Sequence, residues 1–193
     1  MLQISSTQVA GGIVSIDVAP RGPVVVASTD GKVHLLVIDE DKRFQSLGSI
    51  AVEQPLDVSI SSDGKVVAVS SISGAITLIS IDPTKPIEPF PPMHRVPELP
   101  GGNQWNWAKF SPDSKTMVAG AYDGSIQLWE SSSMNWLRSL YRQHSVSDVC
   151  FDPTSTKMAS VSIEPAAIIE SVPYGARLGT LWTGDAGGGK SVS

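Results

Sequence analysis

Internal repetition constrains this chain more than any other feature. The segments IDVAPRGPVVVAST, VSISSDGKVVAVSS, AKFSPDSKTMVAGA and VCFDPTSTKMASVS stack on one another, aligning Gly22, Gly64, Ser114 and Ser155 at intervals of 42, 50 and 41 residues. A second marker follows each one. TDGKVHLLVID, ISGAITLISID, YDGSIQLWES and EPAAIIESV bring Gly31, Gly74, Gly124 and Pro165 into register at intervals of 43, 50 and 41. Repeats of this length are single supersecondary units that bury their apolar faces against their neighbours.

Within each unit the apolar runs are short, rich in Val and Ile, and bounded by Asp-Gly, Ser-Gly or Pro-Asp turns, the pattern of consecutive antiparallel strands. In the first unit the spacing predicts strands at 13–18, 24–29, 32–39 and 44–52. The second and third runs of each unit are nearly continuously apolar, as when both faces of a sheet are covered. A hydrophobic content of 41% is ample for such a core. The expectation is an all-β chain of four four-stranded antiparallel sheets.

FSPDSK and SSDGK between the first and second strands, DG before the third, and IQLWE at the end of the third together resemble the WD-repeat β-propellers. The third unit matches best, with Asp123, Gly124 and Trp129-Glu130 at the family's turn and Trp-Asp positions. Asp30 and Gly31 repeat the turn in the first unit. Leu36, Ile79 and Glu170 hold the tryptophan position in the other units. The resemblance implies a hydrogen-bonded network of histidine, strand serine or threonine, turn aspartate and tryptophan. The family's Gly-His pair survives as Gln143-His144, while Gly102-Asn103 stand there in the third unit and Glu164 replaces the turn aspartate in the fourth. Apolar packing is therefore expected to carry more of the stability.

The implied layout is an N-terminal strand over 1–10, repeats near 11–53, 54–102, 103–143 and 144–183, and a glycine-rich tail over 184–193. Propellers close with about four to eight blades, and the WD type usually has seven. Four blades imply an open or composite propeller, or a piece of a longer seven-bladed chain. Each open flank exposes roughly 400 Å² of apolar surface. At ~25 cal/mol/Å² its coverage is worth ~10 kcal/mol. Other protein subunits on these edges, or a second copy, are the expected partners.

The tail GDAGGGKS matches the phosphate-loop spacing G-x-x-x-x-G-K-S through Gly184, Gly189, Lys190 and Ser191. Such a loop cradles phosphates at the start of a helix, but only Val192 and Ser193 follow it here. A glycine-rich tail is the preferred reading, and nucleotide binding is the alternative. No cofactor is expected.

Residues 83–100 carry seven of the fourteen prolines. This insert is an edge or extended loop, and Pro89, Phe90, Pro92, Met93 and Arg95 are candidate protein-binding residues within it. Trp105 and Trp107 alternate, which would place both on one side of a strand, either as exposed anchors or as core. His34, His94 and His144 lack metal-ligand spacing. Cys150 reads as an inert core thiol, and Asp57, Asp148 and Asp152 as turn or cap residues.

A net charge of −5, without a basic run, supplies no footprint for nucleic acid or an anionic membrane. The single cysteine and the absence of a long apolar window suggest a soluble chain of the cytoplasm or nucleus. No catalytic constellation emerges. The functional expectation is a non-enzymatic scaffold or adaptor acting through protein–protein contacts.

Overall fold

The computed structural model describes residues 8–20, 22–81, 105–164 and 166–182. The chain divides into two compact units, Met1–Val96 and Pro97–Ser193. All regular structure among the described residues is β, in antiparallel sheets consistent with a β-propeller-like fold.

The first unit holds two sheets. In one, β1 (Ile13–Val18), β2 (Val24–Ser28), β3 (Lys32–Ile38) and β4 (Phe44–Ala51) pair in chain order, at the predicted positions to within a residue. The other consists of β5 (Pro55–Ile60), β6 (Val66–Ser71) and β7 (Ile76–Ser80). Any fourth strand would fall in 82–104, outside the described residues. The second unit repeats the plan with β8 (Trp105–Phe110), β9 (Thr116–Ala121), β10 (Ser125–Glu130) and β11 (Trp136–Tyr141). It ends with β12 (Val146–Phe151), β13 (Lys157–Ser162), β14 (Ala166–Ser171) and β15 (Arg177–Trp182).

The irregularities repeat as faithfully as the strands. The register of the first strand shifts between Ile13 and Ser15, Pro55 and Asp57, Trp105 and Trp107, and Val146 and Asp148, equivalent positions in all four sheets. A second shift separates Leu35 from Leu36, Leu128 from Trp129 and Ile169 from Glu170. Bulges of this kind bend and twist a strand locally, so all four sheets share the first irregularity and the three described four-stranded sheets share the second.

The turns explain the spacing. Gly31, Gly74 and Gly124 adopt φ of +76°, +80° and +87°, the left-handed conformation that glycine enters without steric cost. Between the first two strands, Ser61 Oγ donates to Asp63 at 2.7 Å and accepts from Val66 N at 3.0 Å. Ser111 and Asp113 repeat this at 2.6 Å, with Thr116 N on Ser111. The fourth sheet exchanges the two roles. Asp152 accepts from Thr154 Oγ1, and from Thr156 N at 2.8 Å and Lys157 N at 2.7 Å. The first sheet has one residue fewer here, since Val18 pairs with Val24 whereas Ile60 pairs with Val67. Gly22 accordingly falls outside the left-handed turn position shared by Gly64, Ser114 and Ser155.

Each unit has an apolar core between its two sheets. Val25, Ala27, Val33 and Leu35 of the first sheet pack with Val58, Ile60, Val67, Val69, Ile79 and Ile81. In the second unit Trp107, Val118, Ile126 and Leu128 pack with Val146, Val149, Met158 and Val172. Burying one such side chain is worth about 1.5–3 kcal/mol.

Candidate interaction surface

The two cores define two kinds of sheet face. The trailing face of β1–β4 meets the leading face of β5–β7, and that of β8–β11 meets the leading face of β12–β15. Polar bonds reinforce both junctions along the first strands. Ser15 Oγ donates to Asp57 at 2.6 Å, and Ile60 N donates to Asp17 at 2.8 Å. At the same place in the second unit the Lys109 ammonium binds Asp148 and reaches Val149 O at 3.0 Å. Asp57 and Asp148, read from sequence as turn or cap residues, instead tie neighbouring sheets together.

Leading-face positions differ sharply in exposure. In the second sheet Val58, Ile60 and Ile81 are 4%, 5% and 6% exposed. Their counterparts in the first sheet, Ile16, Val18 and Ile38, are 60%, 58% and 55% exposed. The equivalents in the fourth sheet, Val149, Phe151 and Val172, belong to its core or pack against it. Elsewhere on the first sheet's leading face Val24, Val26 and Leu36 are buried, with Phe44 packed against them. Its first strand and the end of its third are left as a bare apolar margin.

The tryptophans part company. Sequence alternation puts Trp105 and Trp107 on one side, but the bulge between them sends them to opposite faces. Trp105 meets Trp129 edge to face, 5.7 Å between centroids. Trp107 enters the core of the second unit, donates Nε1–H to Val146 O at 3.1 Å, and lies over Gly120, where a Cβ would overlap its ring. Both are buried.

The fourth sheet rebuilds the implied network with other residues. Arg142, in the link between β11 and β12, donates to Ser160 Oγ at 2.6 Å and to Glu170 Oε2 at 2.5 Å. Glu170 holds the tryptophan position, and Ser160 lies on the second strand of that sheet. Gln143 N donates to the turn residue Glu164 at 3.2 Å. His144 is exposed. The signal was available, because a buried glutamate at an apolar position requires a cation and arginine lies two residues from the histidine.

In the first sheet Ser28 Oγ donates to Asp30, with His34 Nε2 3.1 Å from the same hydroxyl and 3.8 Å from the carboxylate. The Ser28 bond holds Asp30 below the usual carboxylate range. The aspartate takes the hydroxyl directly instead of orienting the far ring nitrogen, and Ser28 is wholly buried. These three side chains pin the turn at Gly31 rather than activate a nucleophile. Asp123 does the same at Gly124, accepting from Ser125 N at 2.9 Å and Ser125 Oγ at 2.7 Å.

Cys150 is half-buried on β12, where burial, joined by the Asp148 carboxylate, pushes its thiol up. Among the described residues no group of three or more His, Cys, Asp or Glu side chains is placed to hold a metal ion. None of their elements is a helix long and apolar enough to cross a membrane. The candidates Pro89, Phe90, Pro92, Met93 and Arg95 lie outside the described residues, as do Gly184, Gly189, Lys190 and Ser191.

Residues 98–130 match the family model for the WD domain, G-beta repeat. No curated protein matches the chain. The match spans β8, β9 and β10 with the Asp123-Gly124 turn and Trp129, the region whose sequence carries the resemblance most fully. Residues 98–130 are thus similar in sequence to a WD repeat, and the antiparallel four-stranded sheets among the described residues are consistent with WD-repeat blades.

Proposed function

We propose that this protein is a non-enzymatic scaffold or adaptor subunit that holds partner proteins against the flanks of its blades, in the cytoplasm or nucleus. WD repeats in general mediate contacts between proteins, which supports the class of function. The observation that carries the reading is the bare margin of Ile16, Val18 and Ile38. These positions are covered wherever a preceding sheet exists in the same unit, and an apolar surface of this kind marks a site of protein association. Presentation of rigid sheet faces is the mechanism, and the turn networks at Asp30 and Asp123 keep those faces rigid.

The test is quantitative capture from native extract with wild-type protein and with Ile16→Glu. A stoichiometric partner held by the wild type and released by the folded variant is the expected result. Equal recovery of every protein by both would refute the reading.

A further inference from the structure

We infer that the outer end of the junction between the third and fourth sheets binds an acidic peptide segment of a partner protein through Arg138 and Arg177. This surface belongs to the second unit and uses none of the residues of the bare margin, so it goes beyond the scaffold reading and stands or falls without it.

The two junctions close differently at this end. Val52 N donates to Gly31 O at 2.9 Å in the first unit, and Arg142 N donates to Gly124 O at 2.8 Å in the second. Val52 and Arg142 are therefore counterparts, as are Ile79 and Glu170. Hydrocarbon fills the place in the first unit, where Val52 and Ile79 are 4% and 1% exposed and Leu47 and Ile50 pack on the same core. In the second unit the counterparts are the buried Arg142–Glu170 pair. One guanidinium satisfies that carboxylate, yet two more arginines come to the same end.

The stem of Arg138, on β11, lies against the fourth sheet's turn at Gly175, where a Cβ would sit 2.8 Å from Arg138 Cδ and 2.7 Å from Leu140 Cδ2. Arg177, on β15, is the cross-strand partner of Glu170 and shares its face. Its Nη2 donates to Thr180 Oγ1 at 2.5 Å. Both arginines are exposed. Neither makes an ion pair among the described residues, and Glu130 at the end of β10 accepts instead from Ser133 Oγ at 2.5 Å. Positive charge is therefore in excess at this one place, in a chain whose net charge is −5.

That excess decides the occupant. Folding has no use for it, because Glu170 is already neutralised by Arg142 and the two exposed arginines keep N–H donors for solvent. A carboxylate matches the guanidinium fork with two parallel N–H···O bonds. Beside the arginines Tyr174 and Leu178 are 72% and 53% exposed, and arginine with tyrosine is the composition of anchoring residues at protein contacts. The segment that fits carries acidic side chains interspersed with apolar ones.

Fluorescence anisotropy of the full chain with a short fluorescein-labelled peptide of alternating Glu and Leu tests this. Binding should saturate and weaken as salt is raised. Arg138→Gln and Arg177→Gln should each weaken it by about threefold to fivefold, and the double variant by at least roughly tenfold. Lys115→Gln removes the same charge from another exposed turn of the unit and should leave the affinity unchanged. The peptide with Gln at every Glu should not bind.

Both arginines are exposed, and circular dichroism checks that each variant is folded. Failure of the acidic peptide to bind overturns the proposal. So does equal weakening by Lys115→Gln, which would make the attraction one of general charge, and so does equal binding of the Gln peptide, which would make it apolar.

Discussion

The Arg142 guanidinium meets the Glu170 carboxylate at 2.5 Å, with the two side chains only 5% and 6% exposed. A pair this deeply buried is costly to break, because the remaining charge has no solvent to fall back on. Arg142→Ala should destabilise the protein by about 3–5 kcal/mol. Arg142→Met combined with Glu170→Leu should recover most of that loss. Urea unfolding of the three proteins checks it, and equal losses in single and double variants would show that charge isolation is not the cause.

Gly124 couples two blades. Its carbonyl accepts from Arg142 N at 2.8 Å, its φ is +87°, and a Cβ there would overlap the Arg142 carbonyl and sit 2.8 Å from that of His144. Both neighbours are backbone and cannot swing away. Gly124→Ala should cost about 2–4 kcal/mol through left-handed strain and displacement of the Arg142 link. Thermal unfolding should show a larger loss than Gly179→Ala, where a Cβ meets nothing within 4 Å.

Acid should weaken the turns in a defined window. Thr154 Oγ–H and the nearby backbone N–H groups draw Asp152 from 3.8 down to about 2, and Asp30 is lowered by its bond from Ser28. At Asp113 burial pushes upward, but the bonds from Ser111, Lys115 and Ser155 outweigh it. Carboxylates depressed on folding stabilise above their unfolded value, and that contribution disappears as pH falls through the folded one. Stability should therefore fall between about pH 4 and pH 2. Asp152→Asn should flatten part of this slope in chemical denaturation across that range.

The bond between Lys109 and Asp148 is half-exposed, which limits its value. Lys109→Met should cost no more than about 1 kcal/mol, and the loss should shrink in high salt. Unfolding at low and high ionic strength measures both, and a salt-independent loss would assign the effect to the aliphatic stem.

The repeat was legible because short apolar runs and glycine turns are local signals, and β1 to β4 lie where those runs put them. What escaped notice was long-range or irregular. A bulge shifts facing by one residue without altering composition, so Trp105 and Trp107 read as neighbours on one face. Arg142 was not legible because the implied network names a histidine, whereas its partner Glu170 is distant in sequence and meets it only after folding. The one-residue deficit in the first turn was hidden by aligning Gly22 with Gly64, since glycine alone does not reveal which turn position it holds.

The exchange of roles between Ser111 with Asp113 and Asp152 with Thr154 restricts the route by which these turns diverge. Moving from one arrangement to the other requires two replacements, and whichever happens first leaves a like pair. Two hydroxyls can still share a proton, as Thr154 and Thr156 do at 2.9 Å, whereas two carboxylates at that spacing repel. The passable path runs through the hydroxyl pair in either direction, so these turns interconvert by one order of replacement and not by the other.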